Sequence, residues 1–99
     1  MTLTDTFIAT YEKHVAAVQA NDVKAVFADI ERDARATILH GVTAPQGGVV
    51  GTDIVRADVD GAEAVGECRY DLGTDVIGLR SFWRTDGDRW LAYRLENFG

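Results

Sequence analysis

The stretch VIGLRSFWRTDGDRWLAYRLENF, residues 76–98, decides the fold that we predict for this chain. Two runs of strand-forming residues flank the sequence TDG at 85–87, which suits a three-residue hairpin loop with its glycine in the left-handed conformation. This loop pairs Leu79 with Tyr93 and brings the odd-numbered apolar residues of both strands to one face, whereas a two-residue loop sets Leu79 beside Arg94. We therefore predict a hairpin with the three-residue loop.

The segments before this hairpin predict two more strands, at 52–59 and 63–71, joined by short turns that leave no room for a crossover helix. In the register that these turns impose, Glu67 faces Arg56 on one neighbouring strand and Arg80 on the other. Opposite charges that face each other across a sheet stabilise it. The sequence therefore predicts a four-stranded antiparallel meander.

The first third of the chain has helical periodicity. Thr2 is a predicted N-cap with Asp5 completing a capping box, and apolar residues recur at helical spacing over 3–20. Asp22 is placed to cap a second helix, whose apolar stripe weakens after Ile30, so the following segment is either the same helix or a third short one. Helices first and sheet second is the order typical of the α+β class.

The composition excludes several classes of protein. The 99 residues, 1–99, suit a single domain, and the net charge of −6 argues against a nucleic-acid partner, which requires a basic face. The one cysteine, Cys68, excludes an internal disulfide, and the two histidines lack the partner spacing of a metal site. The sequence has neither the pattern of a signal peptide nor an apolar run of membrane length. We expect a cytoplasmic protein that uses no metal or other cofactor and binds neither nucleic acid nor membrane.

The predicted register divides the sheet into two unlike faces. One face is apolar and must pack on the helices. The other combines charges with aromatic rings, and its interpretation stays open between a solvated lattice of salt bridges and a subunit interface, where Trp, Phe and Arg are favoured. If this face is a subunit interface, we expect the assembly to be a symmetric homodimer. The candidate interface residues are Arg69, Arg80, Phe82, Arg84, Trp90 and Arg94.

The order of elements, together with YEKHVAAVQANDVKAV at 11–26 and FWRTDGDRWLAYRLENF at 82–98, resembles the nuclear transport factor 2-like superfamily. The resemblance implies a cone-shaped α+β domain in which a curved four-stranded antiparallel meander wraps around N-terminal helices. The superfamily includes ketosteroid isomerase-like enzymes, polyketide cyclases and small epoxide hydrolases, and many proteins without known activity. The chain is shorter than most members and departs from them most between residues 27 and 50.

The resemblance also implies a cavity between the helices and the concave face of the sheet. Tyr11 matches by position the tyrosine with which isomerase relatives hydrogen-bond a developing oxyanion, and His14 lies one helical turn further on, where it can act as a general base. Such chemistry requires a carboxylate in the pocket, and the predicted register leaves Asp29 or Asp33, in the helical segments, to supply it. We predict Asp29. The other predicted pocket-lining residues are Tyr70, Ser81, Trp83 and Tyr93.

Three functional interpretations follow. The first is a domain that binds a small apolar ligand or associates with itself, without catalysis. The second is an isomerase or cyclase acting on a polyketide- or steroid-like substrate, with Tyr11 as electrophile and His14 or Asp29 as base. The third is a protein-interaction module that uses the outer face of the sheet. Buried tyrosines and histidines also occur as plain core residues, and fold analogy does not choose among the three functions.

Overall fold

The structure, a computed structural model, describes residues 2–99. It confirms the predicted α+β class, because an N-terminal helix packs on a four-stranded antiparallel meander in which each strand pairs with the next along the chain. Within this described part, every helix is too short or too polar to cross a membrane. The elements are α1 (Leu3–Gln19), α2 (Val23–Ala28), a 3₁₀ turn (Arg32–Ala34), β1 (Gly51–Asp60), β2 (Glu63–Asp71), β3 (Val76–Thr85) and β4 (Trp90–Asn97).

Both helices begin at the predicted caps. The Thr2 side chain accepts a hydrogen bond from the backbone N–H of Asp5, and the Asp5 carboxylate accepts one from the backbone of Thr2, which completes the capping box. After α1, Asn21 turns the chain with a positive φ of 55°. Asp22 then caps α2 by accepting a hydrogen bond from the N–H of Ala25 at 3.2 Å.

The second helix is shorter than the apolar stripe through Ile30 predicts. It ends at Ala28 because the chain then pairs with the edge of β4. The N–H of Ala92 donates to the carbonyl of Asp29 at 2.8 Å, and the N–H of Glu31 donates to the carbonyl of Ala92 at 2.9 Å. These bonds satisfy backbone groups that a longer helix would satisfy internally.

The register of the first three strands agrees with the charge pattern. Glu67 pairs with Arg56 on β1 and with Arg80 on β3, as predicted. Its Oε2 accepts hydrogen bonds from Arg80 Nε at 2.6 Å and from Arg56 Nη1 at 3.4 Å, and Arg80 Nη1 donates to Glu96 Oε2 on β4 at 2.6 Å. The row of alternating charges therefore crosses all four strands.

The predicted three-residue hairpin loop is wrong. Thr85 pairs with Trp90, so the loop consists of residues 86–89, and Tyr93 is left unpaired as a bulge in β4. One extra residue reverses which side chains face inward. Trp90 is therefore only 3% exposed and belongs to the core, not to the outer face, so its prediction as an interface residue is wrong. Tyr93 lies on the outer face, so its prediction as a pocket-lining residue is also wrong.

A second bulge lies in β1. Ile54 and Arg56 pair with successive residues of β2, which leaves Val55 without a partner. Because of this extra residue, Asp53 and Arg56 lie on the same face of the sheet although an odd number of positions separates them.

Aromatic rings fill the space between the N-terminal half of α1 and the sheet. Phe7 meets Trp83 and Trp90 edge-on, with ring centres 5.8 and 5.2 Å apart, and stacks on Tyr11 at 5.6 Å. Aromatic pairs of this kind contribute roughly 0.5–1.5 kcal/mol beyond the area they bury. This cluster holds α1 against the sheet and so positions the residues of its next turns.

Candidate functional site

A cavity of about 380 Å³ lies between the C-terminal half of α1, α2, the segment 39–46 and the inner face of the sheet. This volume lies within the range of small-molecule sites. Aliphatic side chains such as Val18, Ile30 and Leu79 form most of its walls. Its buried polar residues are Tyr11, His14, Tyr70 and Ser81, and its exposed rim is formed by Asn21, Val23, Leu39 and Gln46.

His14 and Asp29 form an ion pair or hydrogen bond at the cavity, with 2.9 Å between Nδ1 and Oδ2. An ionised carboxylate only accepts hydrogen bonds, so the proton of the neutral imidazole lies on Nδ1 and Nε2 keeps its lone pair. Every fully enclosed side-chain nitrogen or oxygen of residues 2–99 has a hydrogen-bond partner. Nε2 has none in this part of the chain, so it is not fully enclosed, and His14 lines the cavity.

Asp29 is held through both its backbone and its side chain. Its backbone carbonyl accepts a hydrogen bond from the N–H of Ala92 on β4. Its Oδ1 lies 3.4 Å from Nη2 of Arg89, and the same nitrogen donates to the carbonyl of Ala28 at 3.0 Å. Arg89 belongs to the hairpin loop, so a charged residue of that loop supports the partner of His14.

Tyr11 and Tyr70 line the same cavity. Burial raises the pKa of both phenols well above the ordinary tyrosine value. Both hydroxyls therefore remain protonated near neutral pH and can donate hydrogen bonds to a bound oxygen atom. The predicted placement of Tyr11, His14 and Tyr70 around one cavity agrees with the structure.

Ser81 lines the cavity, but its hydroxyl is already engaged. It accepts a hydrogen bond from Nε1 of Trp83 at 2.7 Å and lies 3.4 Å from the carbonyl of Gly66. Trp83 is fully buried behind Ser81 and lies outside the cavity lining, so its prediction as a lining residue is wrong. It instead supports the lining, because its ring contacts His14 edge-on at 5.0 Å.

The outer face of the sheet uses its arginines within the chain. The guanidinium groups of four of them lie over aromatic rings at 4.4 to 5.5 Å. Arg84 binds the carboxylate of Glu31 through two nitrogens and covers the ring of Tyr93. Of the predicted interface set, the structure places on this face Arg69, Arg80, Phe82, Arg84 and Arg94.

The segment that closes the cavity is held by a residue that the sequence did not reveal. Asn97, at the end of β4, accepts a hydrogen bond from the N–H of Thr43 and donates to its carbonyl, both at 2.8 Å. It also donates to the carbonyl of Gly78 at 3.0 Å. Asn97 therefore ties the segment containing the wall residues Ala44 and Pro45 to the sheet.

Within residues 2–99, no group of three or more His, Cys, Asp or Glu side chains is arranged to hold a metal ion. Comparison of the chain with protein-family models, curated proteins and solved structures gives no match in any of the three. The cavity geometry is therefore the basis for assigning a function.

Proposed function

We propose that the protein binds a small, neutral, mostly apolar molecule in this cavity and transfers a proton on it, with His14 as the base. The supporting observation is the 2.9 Å contact between His14 Nδ1 and Asp29 Oδ2 at the wall of the cavity. A carboxylate that fixes the tautomer of an imidazole, and leaves its second nitrogen facing a cavity, suits general base catalysis.

The lining indicates the chemical class of the ligand. Among the described residues, the cavity lining contains no Asp, Glu, Lys or Arg, and His14 is its one basic side chain. A carboxylate or phosphate ligand would be buried there without a cationic partner, which is costly. A neutral ring compound with one oxygen atom fits this lining, because its rings contact the aliphatic walls and its oxygen accepts hydrogen bonds from the hydroxyls of Tyr11 and Tyr70.

A ketone with an acidic C–H bond beside its carbonyl group suits this arrangement as substrate. Nε2 of His14 takes the proton from carbon, the C–H electron pair forms the double bond of an enolate, and the carbonyl pair moves onto oxygen. The hydroxyls of Tyr11 and Tyr70 donate hydrogen bonds to that oxygen, which stabilises its negative charge. Asp29 stabilises the imidazolium. Where a neighbouring C=C bond extends the enolate to a dienolate, return of the proton to the far carbon yields an isomer, and its return to the original carbon regenerates the ketone.

We also propose membership of the nuclear transport factor 2-like superfamily. The order of helices and meander, the cavity between them and the position of Tyr11 in α1 support it. An isomerase of this kind is the second of the three interpretations that the sequence allows. Ligand binding without catalysis, the first, differs from it only in the role of His14.

The neutral bicyclic ketone β-tetralone tests the proposal. In heavy water, the wild-type protein is expected to bind β-tetralone, seen as shifts in the NMR signals of His14 and Leu95, and to accelerate deuterium incorporation next to its carbonyl. His14→Gln is expected to abolish the acceleration and to retain binding, because glutamine is of similar size but is not a base. Tyr11→Phe is expected to slow the exchange, because the enolate oxygen loses a donor.

Matched controls separate these effects from a general loss of structure. Tyr93→Phe removes a tyrosine hydroxyl on the outer face and should leave binding and exchange unchanged. Absence of binding at millimolar β-tetralone contradicts the ligand class. Binding without accelerated exchange, or acceleration that survives His14→Gln, contradicts the catalytic role of His14 and leaves the protein as a binding domain.

A further inference from the structure

One edge of the sheet is open. β1 lies at the end of the strand order, and its backbone bonds to β2 alone in the described part of the chain. The other edge, on β4, is covered by the backbone of Asp29 and Glu31, which bond to Ala92. An uncovered strand edge is a template for pairing with a further strand.

The middle of this edge is exposed and partly apolar. Ile54 is 37% exposed and Val55 is 41% exposed, and their neighbours Thr52, Asp53 and Arg56 are exposed as well. Edge strands that avoid pairing are often short or carry lysine or proline. β1 is ten residues long and contains neither. The features of this kind that it does have are its bulge at Val55 and its charged side chains, Asp53, Arg56, Asp58 and Asp60, so any pairing at this edge must match those charges.

We propose that β1 pairs antiparallel with β1 of a second copy of this chain, about a two-fold axis that passes between Ile54 and Val55. The two meanders then form one continuous sheet. The two cavities lie away from the junction, because residues of β1 do not line them. This association goes beyond the proposed function and does not depend on it.

Charge complementarity selects the register. The proposed axis sets Asp53 of each copy opposite Arg56 of the other, so symmetry produces the attractive pair twice. The bulge places both residues on the outer face, so the two side chains meet on the same side of the joined sheet. A shift of the register by two positions sets Asp53 opposite Asp58, which is a repulsive pair.

The two charges are available for this contact. The Asp53 carboxylate makes no ion pair within residues 2–99. Arg56 contacts Asp58 and Glu67 on its own chain, yet its side chain is still 45% exposed. A chain with a net charge of −6 repels its own copies in general, so the matched pairs are needed to bring these edges together.

Sedimentation equilibrium with charge-reversal variants tests the proposal. The wild type is expected to show a reversible monomer–dimer equilibrium. Asp53→Arg and Arg56→Asp are each expected to raise the dissociation constant by about tenfold or more, because each replaces two attractive pairs by two repulsive ones. An equimolar mixture of the two variants is expected to recover the dimer, because Arg at 53 then faces Asp at 56 and the native pair is retained on the other side.

Control variants with the same charge changes lie away from this edge. Asp33→Arg and Arg94→Asp should leave the dissociation constant at the wild-type value. A wild type that stays monomeric at millimolar concentration, or whose edge pairs only with a strand of another protein, overturns the proposal. So does a mixture of the two edge variants that remains monomeric, or an Arg94→Asp variant that dissociates as strongly as the edge variants.

A measurement on the wild type alone keeps the test independent of variant folding. Hydrogen exchange of the backbone amides of Gly51–Asp60 should slow as the protein concentration rises, because the outward-facing amides become hydrogen-bonded in the dimer. Protection that does not depend on concentration contradicts pairing at this edge.

Discussion

The ring of Tyr11 lies so close to Gly66 that a Cβ atom on the glycine would come within 2.5 Å of the ring carbon Cζ. Gly66 sits on the inner face of β2, where a side chain of any size would hold α1 away from the sheet. Glycine weakens a strand but allows close approach of another group. Here it allows the ring of Tyr11, which lines the cavity, to pack directly on β2.

Gly66→Ala is therefore expected to destabilise the protein by about 1–3 kcal/mol, the usual cost of overpacking a core. Gly51→Ala is the matched control, because a Cβ there meets its nearest atom at an ordinary 3.9 Å and the backbone needs no positive φ. Urea unfolding of both variants measures the difference. Equal midpoints for the two variants would show that Tyr11 does not pack on β2 in this way.

The bulge at Tyr93 predicts losses of stability of very different size for two neighbouring aromatic residues. Trp90→Ala should cost about 3–5 kcal/mol, because it empties a buried site against Phe7. Tyr93→Ala should cost much less, because Tyr93 lies on the outer face beside Arg84. Thermal unfolding of the two variants compares them. A larger loss for Tyr93→Ala would mean that β4 follows the regular register without the bulge.

Asn97 is expected to control the order of the segment that closes the cavity. Asn97→Ala removes two hydrogen bonds to Thr43 and one to Gly78, each worth about 0.5–1.5 kcal/mol. Asn97→Asp should be no better, because an oxygen then replaces the donor that faces two carbonyl groups. Amide exchange at Thr43 and Ala44 should become faster in both variants. Thr74→Ala, in an exposed turn of the same sheet, is the control and should leave that exchange unchanged.

The buried tyrosines predict a loss of stability at alkaline pH. The pKa of Tyr11 and of Tyr70 is raised in the folded protein by burial. In the unfolded chain tyrosine ionises near pH ~10, so above that pH the unfolded state loses protons that the folded state keeps, and the free energy of unfolding falls. Urea unfolding from neutral to alkaline pH should show this decrease.

A pair of tyrosine variants assigns the alkaline effect. The double variant Tyr11→Phe/Tyr70→Phe should show a smaller decrease than the wild type, with the remainder partly due to the buried Cys68 thiol, whose pKa is also raised by burial, whereas Tyr93→Phe should change it less. The pKa of Tyr93 is also raised, first by partial burial and then by its hydrogen bond to Glu63, but Tyr93 lies on the outer face. A pH dependence that follows Tyr93 would contradict the burial of the other two.

The register of β2 against β3 is predictable because two independent patterns agree there. Charges alternate through Arg56, Glu67 and Arg80 while the apolar residues keep the other face. The bulges at Val55 and Tyr93 are not predictable in the same way. One unpaired residue changes the faces of a strand without leaving a mark on its alternation, so a regular apolar pattern in β4 indicated the wrong face for half of the strand.

The candidate site is predictable to the extent that its residues share one element. Tyr11 and His14 lie one helical turn apart, so their spacing places them at the same cavity. Asp29 contacts His14 because α2 stops at Ala28, and that stop depends on backbone bonds to β4, which are distant in sequence. Arg89 reaches Asp29 from a hairpin loop for which the sequence pattern predicts three residues where the structure has four.

Asp29 links the chemistry of the cavity to the fraying of a sheet edge. Its carbonyl closes the edge of β4, and its carboxylate orients His14. A fluctuation that detaches this residue from Ala92 removes the partner of the histidine while the rest of the sheet stays folded. The proposed proton transfer should therefore fail on heating before the aromatic cluster melts, so its rate would report local opening of this edge and not global unfolding.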